Sequence, residues 1–229
     1  KLFIFCSPHN PVGRVWTAKE IKKVLDICKR HHVYVLADEI HQDIVMSEYR
    51  QITAATTGDY DDILVTLTAA TKTFNLAGLI GSYHIIYNSY LRDRVCMEGK
   101  MTHYNSMNVL SMHALIAAYS KEGMEWVDEL RTVLDTNISY AMEFIRREFP
   151  GVSVSRPQGT YMLFLDCTDW CDAHHQTIEE LQRAGMEVGV IWQDGRPFHG
   201  ACHIRMNLAL PHSRVKEAFE RLKQYVFLD

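Results

Sequence analysis

The sequence predicts an α/β fold, with a large domain built on a mostly parallel sheet and a smaller α+β domain after it. Three observations predict this organisation. Strand, helix and strand alternate over residues 1–37, a long amphipathic helix follows the middle of the chain, and short strands occupy much of the remainder. Strands that alternate with helices favour a parallel sheet, whereas short strands separated by turn residues favour antiparallel pairing.

The first elements form a strand, helix and strand unit. Residues 1–6 predict a strand, because all of them after Lys1 are apolar. Thr17 to Glu20 is a capping box, and apolar residues then recur at helical spacing, so a helix should run to about Arg30. Residues 33–37 are nearly all apolar, as in a buried parallel strand. A right-handed crossover between the two strands places their carboxyl ends at one edge of the sheet.

The middle of the chain predicts two more strands and three helices. The strands are expected at 63–67 and 79–86, and the helices at 89–99, 109–120 and 125–148. Apolar residues recur in steps of three and four along the last helix, which Pro150 and Gly151 end. We therefore predict a boundary near Glu125, with residues 1–124 in the large domain and 125–229 forming a bridging helix and the small domain.

The small domain is expected to contain short strands and two helices. The strands are predicted at 152–155, 161–166, 188–191 and 203–208. Thr177 with Glu180 caps one helix, and the last amphipathic helix carries Val215, Phe219, Leu222 and Val226. Because the sequence opens inside a strand, we expect it to be the later part of a longer protein.

Composition limits the classes of function. The chain of 229 residues is 47% hydrophobic and 23% charged, which is typical of a globular protein. A net charge of −4 without a basic stripe argues against nucleic acid as a partner, and no apolar run predicts a membrane span. The six cysteines include no C-x-x-C pair, so reduced thiols in a cytoplasmic protein are expected. Cys171, His174 and His175 lack a second ligand cluster, so no metal is expected.

Lys72 is the first candidate catalytic residue. It lies among small and apolar residues directly after a β-branched run. A lysine amine that is poorly solvated is available as a nucleophile toward an aldehyde. The alternative is that Lys72 ends a strand and reaches water with its tip.

Asn10 and Asp38 each follow an apolar run, where open α/β sheets collect ligand-binding groups. Asn10 is otherwise a turn residue before proline, and either Pro8 or Pro11 is a candidate for a cis bond. Asp38 is otherwise an N-cap for the segment that begins at Glu39. In the order Asn10, Asp38 and Lys72, the chain resembles the pyridoxal phosphate (PLP) enzymes of the class I/II aminotransferase superfamily, which have fold type I.

This resemblance covers almost the whole chain and implies a role for each residue. Lys72 would bind the cofactor aldehyde, Asp38 would keep its ring nitrogen protonated, and Asn10 would donate to its phenolic oxygen. The sequence would then hold the later part of the large domain of a PLP transferase, followed by the small domain. A homodimer with a small amino acid as substrate is expected for the full-length protein.

Two residues of the small domain resemble the substrate-binding residues of the family. Arg205 starts a match to the pattern Arg-x-Asn-x-Ala-x-Pro, in which the arginine binds the α-carboxylate of the substrate through two hydrogen bonds. Its alternative is an exposed strand arginine. Tyr161 lies in the segment that resembles the strand lining the same pocket, and is otherwise a strand aromatic.

Three segments narrow the resemblance to the cystathionine β-lyase group: residues 38–41, which end in His41, residues 72–78, and residues 122–126. His41 stands where many aminotransferases have a tyrosine. Ala69 and Ile80 depart from the phosphate-binding serine and arginine of many relatives, so the phosphate is expected to rely on Thr68 or Thr71.

The group implies α,β-elimination from cystathionine or cysteine S-conjugates, with pyruvate, ammonia and a thiol as products. Two alternatives stay open. One is an aminotransferase that moves an amino group between an amino acid and a keto acid. The other is a catalytically silent binding module that keeps the same fold.

Overall fold

The structure is a computed structural model and describes residues 1–104 and 106–228. The chain forms two compact units. Unit 1 contains Lys1–His9 and Arg14–Asp128, and unit 2 contains Asn10–Gly13 and the chain from Glu129 onward. In the part of the chain that the structure describes, no helix is long and apolar enough to cross a bilayer.

Unit 1 is built on a four-stranded sheet in the order β1-β2-β3-β4. The strands are β1 (Leu2–Cys6), β2 (Tyr34–Asp38), β3 (Leu64–Thr68) and β4 (Tyr83–Ile85). The first three are parallel, and β4 is antiparallel to β3. The expected mostly parallel sheet is therefore confirmed, and β1, β2 and β3 end at the same edge.

The first three helices of unit 1 are α1 (Ala18–Arg30), α2 (Ser89–Thr102) and α3 (Val109–Ala118). The predicted capping box of α1 is present: the Thr17 side chain accepts from the Glu20 backbone, and Glu20 accepts from the Thr17 N–H. Ile21 and Leu25 are fully buried in a cluster with Val35 of β2, so α1 covers one face of the sheet. This burial supplies the main driving force for the packing of helix on sheet.

Two predictions in unit 1 were wrong in extent. The strand expected at 79–86 is confined to β4, because Ala77–Leu79 form a 3₁₀ turn and Ile80 has a positive φ of 52°. A left-handed residue cannot continue a strand. Helix α4 (Lys121–Glu148) begins four residues before the predicted start, and its first turn is capped by the Ser120 hydroxyl, which accepts from the Gly123 N–H at 3.1 Å.

Unit 2 contains an antiparallel sheet in the order β5-β6-β8-β7. Its strands are β5 (Ser153–Val154), β6 (Met162–Asp166), β7 (Gln193–Asp194) and β8 (His203–Asn207). Its helices, besides the later turns of α4, are α5 (Thr168–His174), α6 (Ile178–Glu187) and α7 (His212–Tyr225). The capping box predicted for α6 at Thr177 and Glu180 is confirmed.

The strand predicted at 188–191 was wrong. Gly189 has a φ of +78°, and the Val190 N–H donates to the Gly185 carbonyl at 2.8 Å, so these apolar residues close the end of α6. A glycine in the left-handed region is a common way to end a helix. Helix α5 was not predicted, because it is short and its apolar residues do not recur over two turns.

Asn137 of α4 connects the helix to the chain that follows β8. Its side chain is fully buried. Nδ2 donates to the carbonyls of Leu208 and Leu210, both at 2.9 Å, and Oδ1 lies 2.8 Å from Nδ1 of His212. Every polar atom of this buried amide is therefore used, and Nδ2 holds the chain that directly follows β8, the strand that carries Arg205.

Candidate functional site

The predicted site residues fall into one group in each unit. Asp38, His41, Thr68, Thr71 and Lys72 belong to unit 1. Asn10, Tyr161 and Arg205 belong to unit 2.

Asp38 and Thr68 lie on neighbouring parallel strands in unit 1. Asp38 is the last residue of β2 and pairs with Leu67 of β3, so Thr68 is one residue further along the same edge. Oδ1 of Asp38 accepts from the Ile40 N–H at 3.2 Å. This is the kind of contact that the capping alternative predicts, although residues 40–43 form turns and not a helix.

Thr68 offers a buried hydroxyl group at this edge. Its side chain is only 2% exposed, and Oγ1 has no hydrogen-bond partner among the described residues. A buried hydroxyl without a partner is costly, so such an atom is expected to meet a polar ligand or water. His41, three residues after Asp38, is also buried, at 5% exposure.

Lys72 is exposed, and Thr71 beside it is half-buried. The poorly solvated environment expected from the sequence is therefore wrong for this chain: Ala69 and Ala70 point into the core, but Lys72 does not. A turn explains why Lys72 and the two alanines differ in exposure. The Phe74 N–H donates to the Ala70 carbonyl at 3.0 Å, and successive side chains of this turn point in different directions. The Lys72 amine is accessible to an aldehyde.

His9 is a residue of unit 1 that sequence reasoning missed. It is half-buried, and its Nδ1 has no partner among the described residues. Burial lowers the pKa of the imidazole, and the charge of Asp38 acts in the opposite direction. His9 therefore lies within electrostatic range of the Asp38 carboxylate, and its burial favours the neutral imidazole.

Arg205 and Asn10 are in direct contact in unit 2. Arg205 lies at the centre of β8, paired with Phe164 and Gln193, and its Nη1 donates to Oδ1 of Asn10 at 3.0 Å. Strand β8 alternates as predicted, with Ile204 and Met206 buried and Arg205 on the other face. The alternative of an exposed strand arginine is wrong, because this side chain is half-buried.

The segment that carries Asn10 has a fixed backbone. Both candidate prolines follow cis bonds, at Ser7-Pro8 and Asn10-Pro11. Gly13 has a φ of +70°, and a Cβ there would lie 2.4 Å from Cβ of Pro157. The Gly13 carbonyl accepts from the N–H groups of Gln158 and Gly159 at 2.8 and 3.0 Å. Glycine is required at this position, and the turn holds Asn10 beside the strands of unit 2.

Phe198 completes the surroundings of Arg205 and was not predicted. The Cζ atom of Arg205 lies 4.6 Å from the centre of the Phe198 ring, which is a cation–π contact. The signal in the sequence is an aromatic residue between Gly195 and Gly200, just before β8. Tyr161 is also close enough to interact: burial raises the pKa of its phenol, and the charge of Arg205 acts in the opposite direction.

The guanidinium group of Arg205 has donors to spare. Burial lowers its pKa, and its Nε is a buried donor without a hydrogen-bond partner among the described residues. Nη1 donates to Asn10, so the edge of the planar guanidinium group that carries Nε is the edge that could bind a ligand. A carboxylate is the acceptor that matches this fork with two parallel hydrogen bonds.

Comparison with known proteins identifies the family. The sequence matches the family described as aminotransferase class I and II over residues 1–222. It is 33% identical to cystathionine beta-lyase PatB of Bacillus subtilis over 226 residues, and 34% identical to protein MalY of Escherichia coli over 223 residues. These matches cover 97% and 95% of this chain, and 57% and 55% of the relatives.

A solved structure gives the same result. The crystal structure of cystalysin from Treponema denticola, which contains a pyridoxal 5′-phosphate cofactor, matches with a TM-score of 0.90 and 31% identity. The match covers 98% of this chain and 57% of that one. The chain thus spans just over half the length of the curated relatives it matches. Because the family match extends over nearly all of its residues, the chain belongs to the class I and II aminotransferase family of PLP-dependent enzymes.

Proposed function

We propose that the intact protein is a PLP-dependent carbon–sulfur β-lyase that acts on cystathionine or cysteine S-conjugates. The observation that carries the proposal is the Arg205 guanidinium, which is held by Asn10 and Phe198 and keeps a buried Nε donor for a carboxylate. This is a receptor for the α-carboxylate of an amino acid. The likeness to cystathionine beta-lyase PatB supports the lyase assignment.

The residues of unit 1 fit the cofactor that the family uses. PLP, when bound, withdraws electrons from the α-carbon of an amino acid and makes its α-proton acidic. The carboxylate of Asp38 would hold a proton at the ring nitrogen, and the buried Thr68 hydroxyl would donate to a phosphate oxygen, with Thr71 beside it. His41 is proposed to border the ring.

Lys72 is proposed to hold the cofactor aldehyde at rest and to act as the acid and base during reaction. Because Lys72 is exposed, its amine is accessible to both the cofactor and the substrate. A long, flexible side chain is suited to moving a proton between nearby atoms. Elimination removes the α-proton of the substrate and expels a thiolate from its β-carbon, and hydrolysis then gives pyruvate and ammonia.

The residues of unit 2 are proposed to orient the amino acid. Arg205 would bind the α-carboxylate through its Nε side, and Tyr161 would border the same ligand. Since Arg205 can only donate to Oδ1 of Asn10, the Nδ2 group of that amide is the end available to donate to the phenolic oxygen of PLP. One contact thus couples substrate binding to the orientation of the amide.

A second candidate is an aminotransferase, favoured by the family match itself. It would use the same residues to remove the α-proton but would hand the amino group to a keto acid. A third candidate is a binding module without catalysis. Such a protein would tolerate Asp38→Ala and Arg205→Ala, whereas an enzyme should lose activity in both.

The cofactor assignment is tested by the absorbance of the intact protein near the visible edge, which should require Lys72. After borohydride reduction, the label should be found on the peptide that contains Lys72, and Lys72→Ala should lose both signals. Covalent labelling that persists in Lys72→Ala would overturn the role of this residue.

We further propose a cytoplasmic homodimer. The resemblance to the family supports the dimer, and the lack of disulfide bonds among the described cysteines supports the location. The division into residues 1–124 and 125–229 also stays a proposal. Sedimentation of the intact protein at two concentrations tests the dimer, and limited proteolysis near Glu125 tests the boundary.

A further inference from the structure

A buried carboxylate of unit 1 contacts the residue next to Lys72. Asp43 follows Asp38 by five positions and is 9% exposed. The Thr73 hydroxyl donates to its Oδ2 at 3.0 Å, and Thr73 itself is 2% exposed. A hydrogen bond to an ionised acceptor in a buried place is among the stronger polar contacts of a protein.

A second hydroxyl donates to the same oxygen. The phenol of Tyr119, at the end of α3, lies 3.3 Å from Oδ2 of Asp43. Burial, with the charge of Asp43, raises the pKa of Tyr119 well above its usual range. The phenol therefore stays protonated and remains a donor across the physiological range of pH.

The turn that contains Lys72 is fixed by contacts of the residues that follow Lys72. The Leu76 N–H donates to the Thr71 carbonyl at 2.8 Å, which closes the turn. Phe74 stacks on Trp126 with ring centres 5.3 Å apart and meets Tyr119 edge to face at 6.4 Å. Lys72 is the exposed residue between half-buried Thr71 and anchored Thr73.

The hydrogen bond between Thr73 and Asp43 matters because a lysine side chain is a flexible chain of four carbons. Its own contacts cannot fix the amine while it is exposed, so the place of the amine depends on the backbone that carries it. Displacing a catalytic group by about 1 Å is enough to slow a reaction by roughly a hundredfold.

We propose that Asp43 is a positioning residue for Lys72 and acts through the Thr73 hydroxyl. The proposal rests on the proposed function, in which Lys72 reacts with the cofactor and the substrate. It adds Asp43, Thr73 and Tyr119 to the residues that reaction depends on.

A purely structural role for the same contact makes a different prediction. If the bond only stabilised the fold, its loss would lower the melting temperature and leave the reactivity of Lys72 unchanged. If it positions Lys72, its loss changes the rate at which Lys72 captures the cofactor, and restoring the hydroxyl restores that rate.

The experiment compares Thr73→Val, which keeps the shape without the hydroxyl, with Thr73→Ser, which keeps the hydroxyl. Cofactor-free intact protein is mixed with PLP, and the rate of attachment to Lys72 is followed by absorbance. We expect Thr73→Val to be slower by roughly tenfold to hundredfold and Thr73→Ser to stay near the wild type. Amide hydrogen exchange over residues 70–76 should be faster in Thr73→Val alone.

In the loaded enzyme, kcat should fall with the attachment rate while KM changes by less than about threefold, because Arg205, which is proposed to bind the substrate, is not changed. If Thr73→Val does not fold, the proposal is tested with Tyr119→Phe, which removes the hydrogen bond from the phenol to Asp43. The rate of PLP attachment should then fall by about threefold to tenfold. Folded variants that attach PLP and exchange hydrogen like the wild type would overturn the positioning role alone. A wild type that attaches no PLP at Lys72 would overturn the proposed function as well.

Discussion

Arg205 and Asn10 are 195 positions apart in the sequence, and Nη1 of the arginine donates to Oδ1 of the asparagine across 3.0 Å. A guanidinium group has no acceptor, so this contact determines which end of the amide faces it. Nδ2 of Asn10 is therefore the end of the amide that faces away from the guanidinium group, and the buried Nε of Arg205 has no hydrogen-bond partner among the described residues.

The first prediction concerns the planar shape of the Arg205 guanidinium group. Arg205→Lys should bind amino-acid substrate almost as weakly as Arg205→Ala, because an ammonium group cannot make two parallel hydrogen bonds to a carboxylate. The expected loss is about 2 to 5 kcal/mol in the free energy of binding, since the substrate carboxylate is left unpaired. The measurement is KM or a binding titration with the intact protein.

The matched control is Arg183→Lys, which changes an exposed arginine of α6 in the same unit. It should bind substrate like the wild type. Wild-type affinity in Arg205→Lys would show that Arg205 does not bind the substrate carboxylate through two parallel hydrogen bonds.

The second prediction concerns the ring beneath the guanidinium group. Phe198→Leu removes the cation–π contact at 4.6 Å and should weaken substrate binding by about threefold to tenfold, as expected from the loss of ~1 kcal/mol. Phe198→Tyr keeps an aromatic ring and is expected to bind normally. Equal binding by the leucine and tyrosine variants would show that the ring does not support Arg205.

Elements with a repeated pattern were predicted well from the sequence. The capping box at Thr17 and Glu20, the alternation of β8 and the position of strand β2 each depend on local chemistry that recurs over several residues, although β2 is buried only at Val35 and Ala37. For the same reason Arg205 was assigned to the correct strand and face.

Features that depend on one backbone angle or one distant partner were not predicted. Ile80 adopts a positive φ without being a glycine, and the strand expected there is shortened. The contact of Asp43 with Thr73 joins residues whose sequence neighbours give no sign of the pairing, and the aromatic residue before β8 does not by itself name Arg205 as its partner. Lys72 was expected to be desolvated because neighbouring residues are apolar, but a turn sends adjacent side chains in different directions.

The third prediction concerns the stability of unit 2. Asn137→Leu leaves the carbonyls of Leu208 and Leu210 without their buried donor, so the free energy of unfolding should fall by about 2 to 4 kcal/mol. Urea denaturation of the intact protein measures the change. The control is Thr136→Ala, at the adjacent exposed position of α4, which should stay within about 0.5 kcal/mol. Similar losses in the two variants would contradict the role of the buried amide.

The fourth prediction is a pH dependence. Glu39 is 2% exposed and accepts from the Ala54 N–H at 2.7 Å, and burial raises its pKa above the ordinary value of 4.5. The folded protein therefore holds this proton more tightly than the unfolded chain does. Its contribution to stability is complete below about pH 4.5 and is lost as the pH rises through the folded-state pKa.

Glu39→Gln keeps the acceptor without the charge, so its melting temperature relative to the wild type should increase as the pH rises from 4.5 toward neutrality. The comparison needs thermal unfolding of both proteins in a series of buffers at one ionic strength. A difference that is constant, or that shrinks with rising pH, would mean that Glu39 is not held in its neutral form by burial.

The central claim is most directly tested by supplying the intact enzyme with cystathionine and no keto acid. A β-lyase should release pyruvate and a free thiol in equal amounts over many turnovers, because elimination needs no second substrate. Pyruvate is measured with a coupled dehydrogenase and the thiol with a disulfide reagent. Steady release of both is the result we predict, whereas a reaction that stops after one equivalent and resumes only when a keto acid is added would show an aminotransferase instead.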